Sequence, residues 1–187
     1  MTPLRYTRMA MLLHWLVALL IGVNIVLGYI PDSVPDSWSR PVIDLHKSVG
    51  ITVIGLVILR LLWRAANPPP PMPATYRPVE RRAAHWAHYA LYAVAILLPL
   101  SGWLHDSAWK DAAGHPLTLF GVIPWFRFGF ITNMDPASKE AFHSFMFSVH
   151  VAFGYALYAL LALHVLGALK HQFYDREPEL QRMLPGR

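Results

Sequence analysis

Ten histidines and no cysteine in a chain of 187 residues define the chemistry within reach. Without cysteine there are no disulfides, no Cys-ligated iron–sulfur clusters and no thioether-attached haem. Four of the histidines, His14, His46, His150 and His164, lie in or at the edge of long apolar runs. An imidazole in such a run is costly and needs a partner. The plain partner is a hydrogen bond to a neighbouring helix. The chemical one is a metal, which a neutral imidazole nitrogen can ligate. His150 and His164 are fourteen residues apart, nearly four helical turns, so they share a face and stand about 21 Å apart along it. Two ligands at two depths on one helix call for two partners at matching depths.

The elements that must supply those partners follow from composition. Hydrophobic residues make up 55% of the chain and charged residues only 14%, against about 25% charged in an ordinary soluble domain. A bilayer core takes roughly 20 mostly apolar residues per helix. Four segments qualify, at about 9–30, 45–63, 85–104 and 148–169. The expected fold is all-α, an integral membrane four-helix bundle. The first apolar run follows Arg5 and Arg8 but is longer than a cleaved leader's and lacks a clean small-residue cleavage site, so a retained signal-anchor helix is expected.

Lys and Arg in the short flanks orient the bundle. With the N-terminus inside, one side collects Arg5, Arg8, Arg60, Arg64, Arg77, Arg81, Arg82, Lys170, Arg176, Arg182 and Arg187. The other collects Arg40, Lys47, Lys110, Arg127 and Lys139. Both termini and the 67–82 loop are therefore expected in the cytoplasm. Pro68 to Pro71 in that loop have no backbone donors and favour polyproline II, a stiff connector. The net charge of +5 is accounted for by these flanks, and no separate basic stripe points to nucleic acid.

Threading the spans antiparallel pairs the histidines. His14, near the inner end of the first span, matches His164; His46, at the outer end of the second, matches His150. Two neutral imidazoles from facing helices can clamp an iron from both sides, with a flat macrocycle filling the slot between helices. Two b-type haems are the expectation, held by His14 with His164 and by His46 with His150. A doubly ligated iron leaves electron transfer as its chemistry.

The remaining histidines compete less well. His85 and His88, one turn apart at the start of the third span, are read as propionate contacts or interhelical hydrogen bonds, with ligation the minority reading. Lys47 could meet a propionate or a lipid headgroup. His171 could contact a quinone or a propionate, or carry no role. His143 is expected to precede the fourth span, and His105 and His115 to lie in a long outer loop, 105–147. The loop's aromatic residues fit an interfacial belt or a cap over a cofactor. Gly22, Gly28, Gly50, Gly55 and Gly154 lie in the spans, where small residues admit either a cofactor or a neighbouring helix.

These features together resemble the bacterial cytochrome b561 family over nearly the whole chain. They are the Arg5-Tyr6-Thr7-Arg8-Met9 start leading to Leu13-His14-Trp15, His46-Lys47-Ser48-Val49-Gly50, Arg60-Leu61-Leu62-Trp63-Arg64 before the proline run, Ala84-His85 with His88, and the pair His150/His164. The resemblance implies four helices, two b haems on His14, His46, His150 and His164, and a place in the bacterial inner membrane. Some members oxidise superoxide outside the membrane and reduce ubiquinone. Three readings stand: an electron carrier linked to the quinone pool, including a quinone-reducing oxidoreductase of the superoxide oxidase type; a haem-bearing anchor subunit fed by a periplasmic redox protein; and a haem-free transporter or proton relay.

Overall fold

The computed structural model describes residues 5–184; the terminal residues, Arg187 among them, lie outside the described residues. Four long helices carry the fold: α1 (Arg8–Tyr29), α2 (Asp36–Ala66), α3 (Pro78–Ser107) and α5 (Pro136–Leu169). Short elements join them, with β1 (Thr118–Leu119), β2 (Ile123–Pro124) and α4 (Gly129–Thr132) between α3 and α5, and α6 (Glu179–Met183) after a π turn at Lys170–Tyr174. All four long helices are apolar and long enough to cross a membrane. The all-α membrane bundle expected from the sequence is the observed fold, with one antiparallel two-stranded pairing added.

The helices run past the apolar windows. α2 begins at residue 36 rather than 45, α3 at 78 rather than 85, and α5 at 136 rather than 148. The starts of α3 and α5 are set by caps, not by lipid thickness. The Asp135 carboxylate accepts from the N–H groups of Ala137 and Ser138 at 3.2 and 3.0 Å, with Pro136 at the first helical position. Glu80 takes the Arg77 N–H at 3.0 Å, with Pro78 leading α3. His143 is consequently a helical residue of α5, and His105 is one of α3, whose last turn runs on to Ser107; neither is a loop residue. The outer connection shrinks to residues 108–135, while His115 does lie in it.

The buried core lies among α1, α2 and α3: Val17, Leu27, Val49, Val53, Val57 and Ala95. α1 packs on α2, α2 on α3, and α3 on α5, whereas α5 makes no comparable backbone contact with α1 or α2. That leaves a slot along α5. Large apolar side chains such as Leu12, Leu19, Leu62 and Leu163 face outward, the expected arrangement where the solvent is lipid.

One end of the bundle gathers the first and last described residues. The Tyr6 N–H donates to the Arg182 carbonyl at 3.2 Å and the Trp15 indole to the Met183 carbonyl at 2.8 Å. Arg182, itself buried, donates to the carbonyls of Pro70 and Pro71. The proline run has no N–H to offer but keeps its acceptors, and the strap uses them.

The opposite end is pinned by charge. Asp106 is buried and accepts from Lys47 Nζ at 2.8 Å and Arg127 Nε at 2.8 Å; Lys47 also reaches Asp44 at 3.0 Å. This joins α2, α3 and the 108–135 connection. Replacing Asp106 by alanine leaves two largely buried cations without their shared carboxylate, and such losses cost about 3–5 kcal/mol. Asp106→Ala should lower the unfolding temperature and open the connection to tryptic cleavage at Arg127, measured by thermal denaturation and limited proteolysis.

Candidate haem sites

The four proposed ligands meet in two couples. The rings of His14 and His164 have centroids 6.2 Å apart, and those of His46 and His150 are 6.1 Å apart. Two imidazoles on opposite sides of one metal, each bonded at about 2 Å with its centroid about 1 Å farther on, place their centroids about 6 Å apart. Both couples have that spacing. His88 lies 5.3 Å from His164, so a third imidazole stands beside the inner couple.

The outer couple has a frame built by a repeated device. His46 Nδ1 hydrogen-bonds the Asn24 carbonyl at 3.0 Å, and His150 Nδ1 the Leu98 carbonyl at 2.9 Å. Four residues beyond each acceptor stands a glycine, Gly28 or Gly102. A Cβ on Gly28 would come within 3.3 Å of His46 Cε1, and one on Gly102 within 3.0 Å of His150 Cε1. Removing the Cβ lets the imidazole lie on the helix and reach a carbonyl one turn back. The carbonyl takes the Nδ1–H, which fixes the tautomer and leaves Nε2 with a lone pair for a metal. Ser101 Oγ also approaches His150 Nδ1 at 3.2 Å.

The inner couple is framed differently. His14 Nδ1 is buried with no hydrogen-bond partner among the described residues. The His88 Nδ1 bonds the Ala84 carbonyl within its own helix at 2.7 Å. His85 does the same with Arg81 at 2.7 Å and is exposed, away from the couple. The half-buried donor set of imidazoles, the spacing and the glycine cradles all fit a flat iron macrocycle.

A cavity of about 970 Å³ surrounds the outer couple, reached by His46, His150, Gly28, Gly102 and Gly154. Its upper wall carries a pair that sequence reasoning missed. His105 and His143 stack with centroids 3.8 Å apart at 25°, and each Nδ1 donates to the other's backbone carbonyl at 3.0 and 3.1 Å. The available signal was spacing: His143 precedes His150 by seven residues, two helical turns, on one face. Gly102 was missed as well, beside Ser101 in a span where small residues drew no notice. Of the glycines singled out from sequence, Gly28 and Gly50 are closely packed, and Gly22, Gly55 and Gly154 have open space.

Two candidate side chains are already engaged. Lys47 is held by Asp44 and Asp106. His171 stacks on Tyr76 at 4.0 Å and bonds Asp175 at 2.6 Å, while Asp175 also takes Lys170 at 2.7 Å. Lys170 and then His171 hold the Asp175 carboxyl below the usual carboxylate range. Burial, aided by the hydrogen bond to Glu179, pushes the Tyr76 phenol up. His171 thus belongs to the strap at the inner end.

The glycine cradle is directly testable. Gly102→Ala should displace the His150 ring and change or weaken the haem signal in the reduced absorption spectrum. Gly55→Ala, where a Cβ meets nothing within 4 Å, should leave the spectrum unchanged.

Comparison with known proteins agrees with the geometry. A family model described as prokaryotic cytochrome b561 matches residues 5–186. The chain is 34% identical over 186 residues to "Cytochrome b561 homolog 2" of Escherichia coli (strain K12), covering 98% of this chain and 93% of the relative. It is 24% identical over 181 residues to "Probable superoxide oxidase CybB" of Yersinia pestis, covering 97% and 96%. A second Escherichia coli relative, "Cytochrome b561 homolog 1", is 24% identical over 189 residues, covering 98% of each. Four membrane-crossing helices, two imidazole couples and a match along nearly the whole chain place this protein in the prokaryotic cytochrome b561 family, as a membrane cytochrome with b-type haem.

Proposed function

We propose that the chain holds two b haems, one between His14 and His164 and one between His46 and His150, and works as a transmembrane electron-transfer protein linked to the quinone pool. The observation that carries this reading is the spacing of the two couples, 6.2 and 6.1 Å, on helices that set them about 21 Å apart. Each haem supplies a one-electron couple when bound. The protein's part is to fix both ligands on each side, keep Nε2 unprotonated through the Nδ1–carbonyl bonds at the outer couple, and exclude water with apolar helices. The charge bias of the flanks supports a cytoplasmic placement of the strapped end and a bacterial inner-membrane location, with ubiquinone in the bilayer as acceptor.

Haem quantification tests this at its base. Two haems per chain are expected. His46→Ala and His14→Ala should each lose one, whereas His85→Ala should lose none. A wild-type spectrum after His46→Ala would overturn the outer assignment.

The relative named a probable superoxide oxidase supports superoxide as the donor and makes the chain a candidate superoxide:ubiquinone oxidoreductase. In that reaction two superoxide anions give up one electron each, and quinone takes both with two protons. A second reading draws on the outer charges. Lys47 and Arg127 share Asp106, and Lys47 also holds Asp44, so two cations face two carboxylates with no surplus to draw in a small anion. This favours a haem-bearing anchor that takes electrons from a periplasmic partner protein. Stopped-flow mixing of the oxidised protein with superoxide separates the two. Fast reduction supports the oxidoreductase; no reduction supports the anchor.

A further inference from the structure

The connection 108–135 carries an unusual combination. Phe120, Val122, Ile123, Phe126 and Phe130 are exposed, Val122 at 76%, yet the backbone that bears them is tied down. The Phe120 N–H donates to Ser48 Oγ at 2.9 Å, and the Phe128 N–H to Ser107 Oγ at 3.3 Å. Ser48 and Ser107 are themselves fully buried and donate their hydroxyls to the helical carbonyls of Asp44 and Trp103. The Trp103 indole N–H donates to the Phe126 carbonyl at 2.9 Å, the Trp125 N–H to the Leu117 carbonyl, and the Val122 N–H to the Leu119 carbonyl. Helix side chains thus satisfy non-helical backbone that water would satisfy in an ordinary loop. Backbone needs this where water is scarce.

The anchoring residues also set the depth. Ser48 lies two residues beyond His46 on α2, toward the inner end. Trp103 follows Gly102, whose Cβ would meet His150. The segment from Phe120 to Phe126 therefore folds back along the bundle to the level of the outer histidine couple. At that level α1 presents exposed Val26 and Tyr29, part of the apolar surface that faces lipid. Two couples about 21 Å apart and centred on the bilayer each lie about 10 Å from the midplane, within the ~15 Å half-thickness of the hydrocarbon. The hairpin turn further holds Phe120 in the left-handed region, φ 53°, a conformation that disfavours a bulky residue. It places an aromatic ring outward, where water would not stabilise it.

We propose that the hairpin and the aromatic run after it, residues 120–126, form a membrane-embedded edge that buries its exposed apolar side chains at the acyl–headgroup boundary of the outer leaflet. The occupant is lipid because the patch stands at the same depth as the lipid-facing helix surface, with the N–H groups of Phe120, Val122 and Trp125 and the Phe126 carbonyl paired internally. The inference rests on the membrane fold alone and is independent of the haem assignment.

The absence of cysteine makes the test direct. Val122→Cys and Phe126→Cys, each labelled with a nitroxide and reconstituted in phosphatidylcholine vesicles, are compared by power-saturation electron paramagnetic resonance. The relaxants are oxygen, which concentrates in lipid, and a water-soluble nickel chelate. Leu163→Cys on the outward face of α5 serves as the lipid reference and Lys110→Cys as the aqueous one, both at exposed positions. The oxygen-to-nickel accessibility ratio at 122 and 126 should be several-fold above that at 110 and close to that at 163. An aqueous ratio at either position overturns the proposal. The labels sit on exposed side chains, and an unchanged gel-filtration profile in detergent confirms that each variant is folded.

Discussion

Everything that makes this bundle more than packed helices depends on imidazole rings held at one separation across a slot, about 6 Å from centroid to centroid in both couples. Side chains as short as histidine cannot reach that spacing unless the backbones behind them are placed to match. α5 carries one member of each couple but packs along α3 instead of α1 or α2. The slot is the consequence, and the helices that line it must keep to it. The buried core among α1, α2 and α3 holds two of the partner helices firm, so His14 of α1 and His46 of α2 face α5 as parts of one unit.

The two couples are not equivalent. At the outer one, both imidazoles donate Nδ1–H to a carbonyl exposed by a glycine four residues on, Asn24 with Gly28 and Leu98 with Gly102. A carbonyl acceptor makes an imidazole a stronger ligand and locks its orientation. At the inner one, His14 Nδ1 has no such partner among the described residues, and His88 adds a third ring. The outer couple also opens into a large cavity roofed by the stacked His105 and His143. The electronic environments of the two couples differ accordingly, because ligand basicity, charge and solvent access are the means by which a protein sets redox potential.

The ends of the bundle divide the remaining work. At one end, Arg182 and the last described helix strap the proline run through its free carbonyls. At the other, Asp106 and Asp44 together balance Lys47 and Arg127, and two buried serines tie down the connection. Neither arrangement adds a net charge to the apolar interior, which suits a protein whose surroundings offer no water to screen one.

Much of this was legible in the residues. Four apolar runs of bilayer length required four helices, because a backbone in lipid must satisfy its own hydrogen bonds. The fourteen-residue interval between His150 and His164 put both on one face at two depths, and antiparallel threading then named His14 and His46 as their partners. Those statements depend only on helix geometry and on the thickness of a bilayer, both regular and local. Helix ends were less legible, since capping by Asp135, Pro136 and Pro78 carried helices beyond the apolar windows and brought His143 into α5, while the last turn of α3 ran on past His105. What only the tertiary structure decided were contacts between residues distant in the chain. Gly102 gains its meaning from His150, Lys47 loses its availability to Asp106, His171 finds Tyr76, and the loop folds down to Ser48. Such pairings depend on how helices lean and turn against one another, and the periodicity of a single helix carries no record of its neighbours.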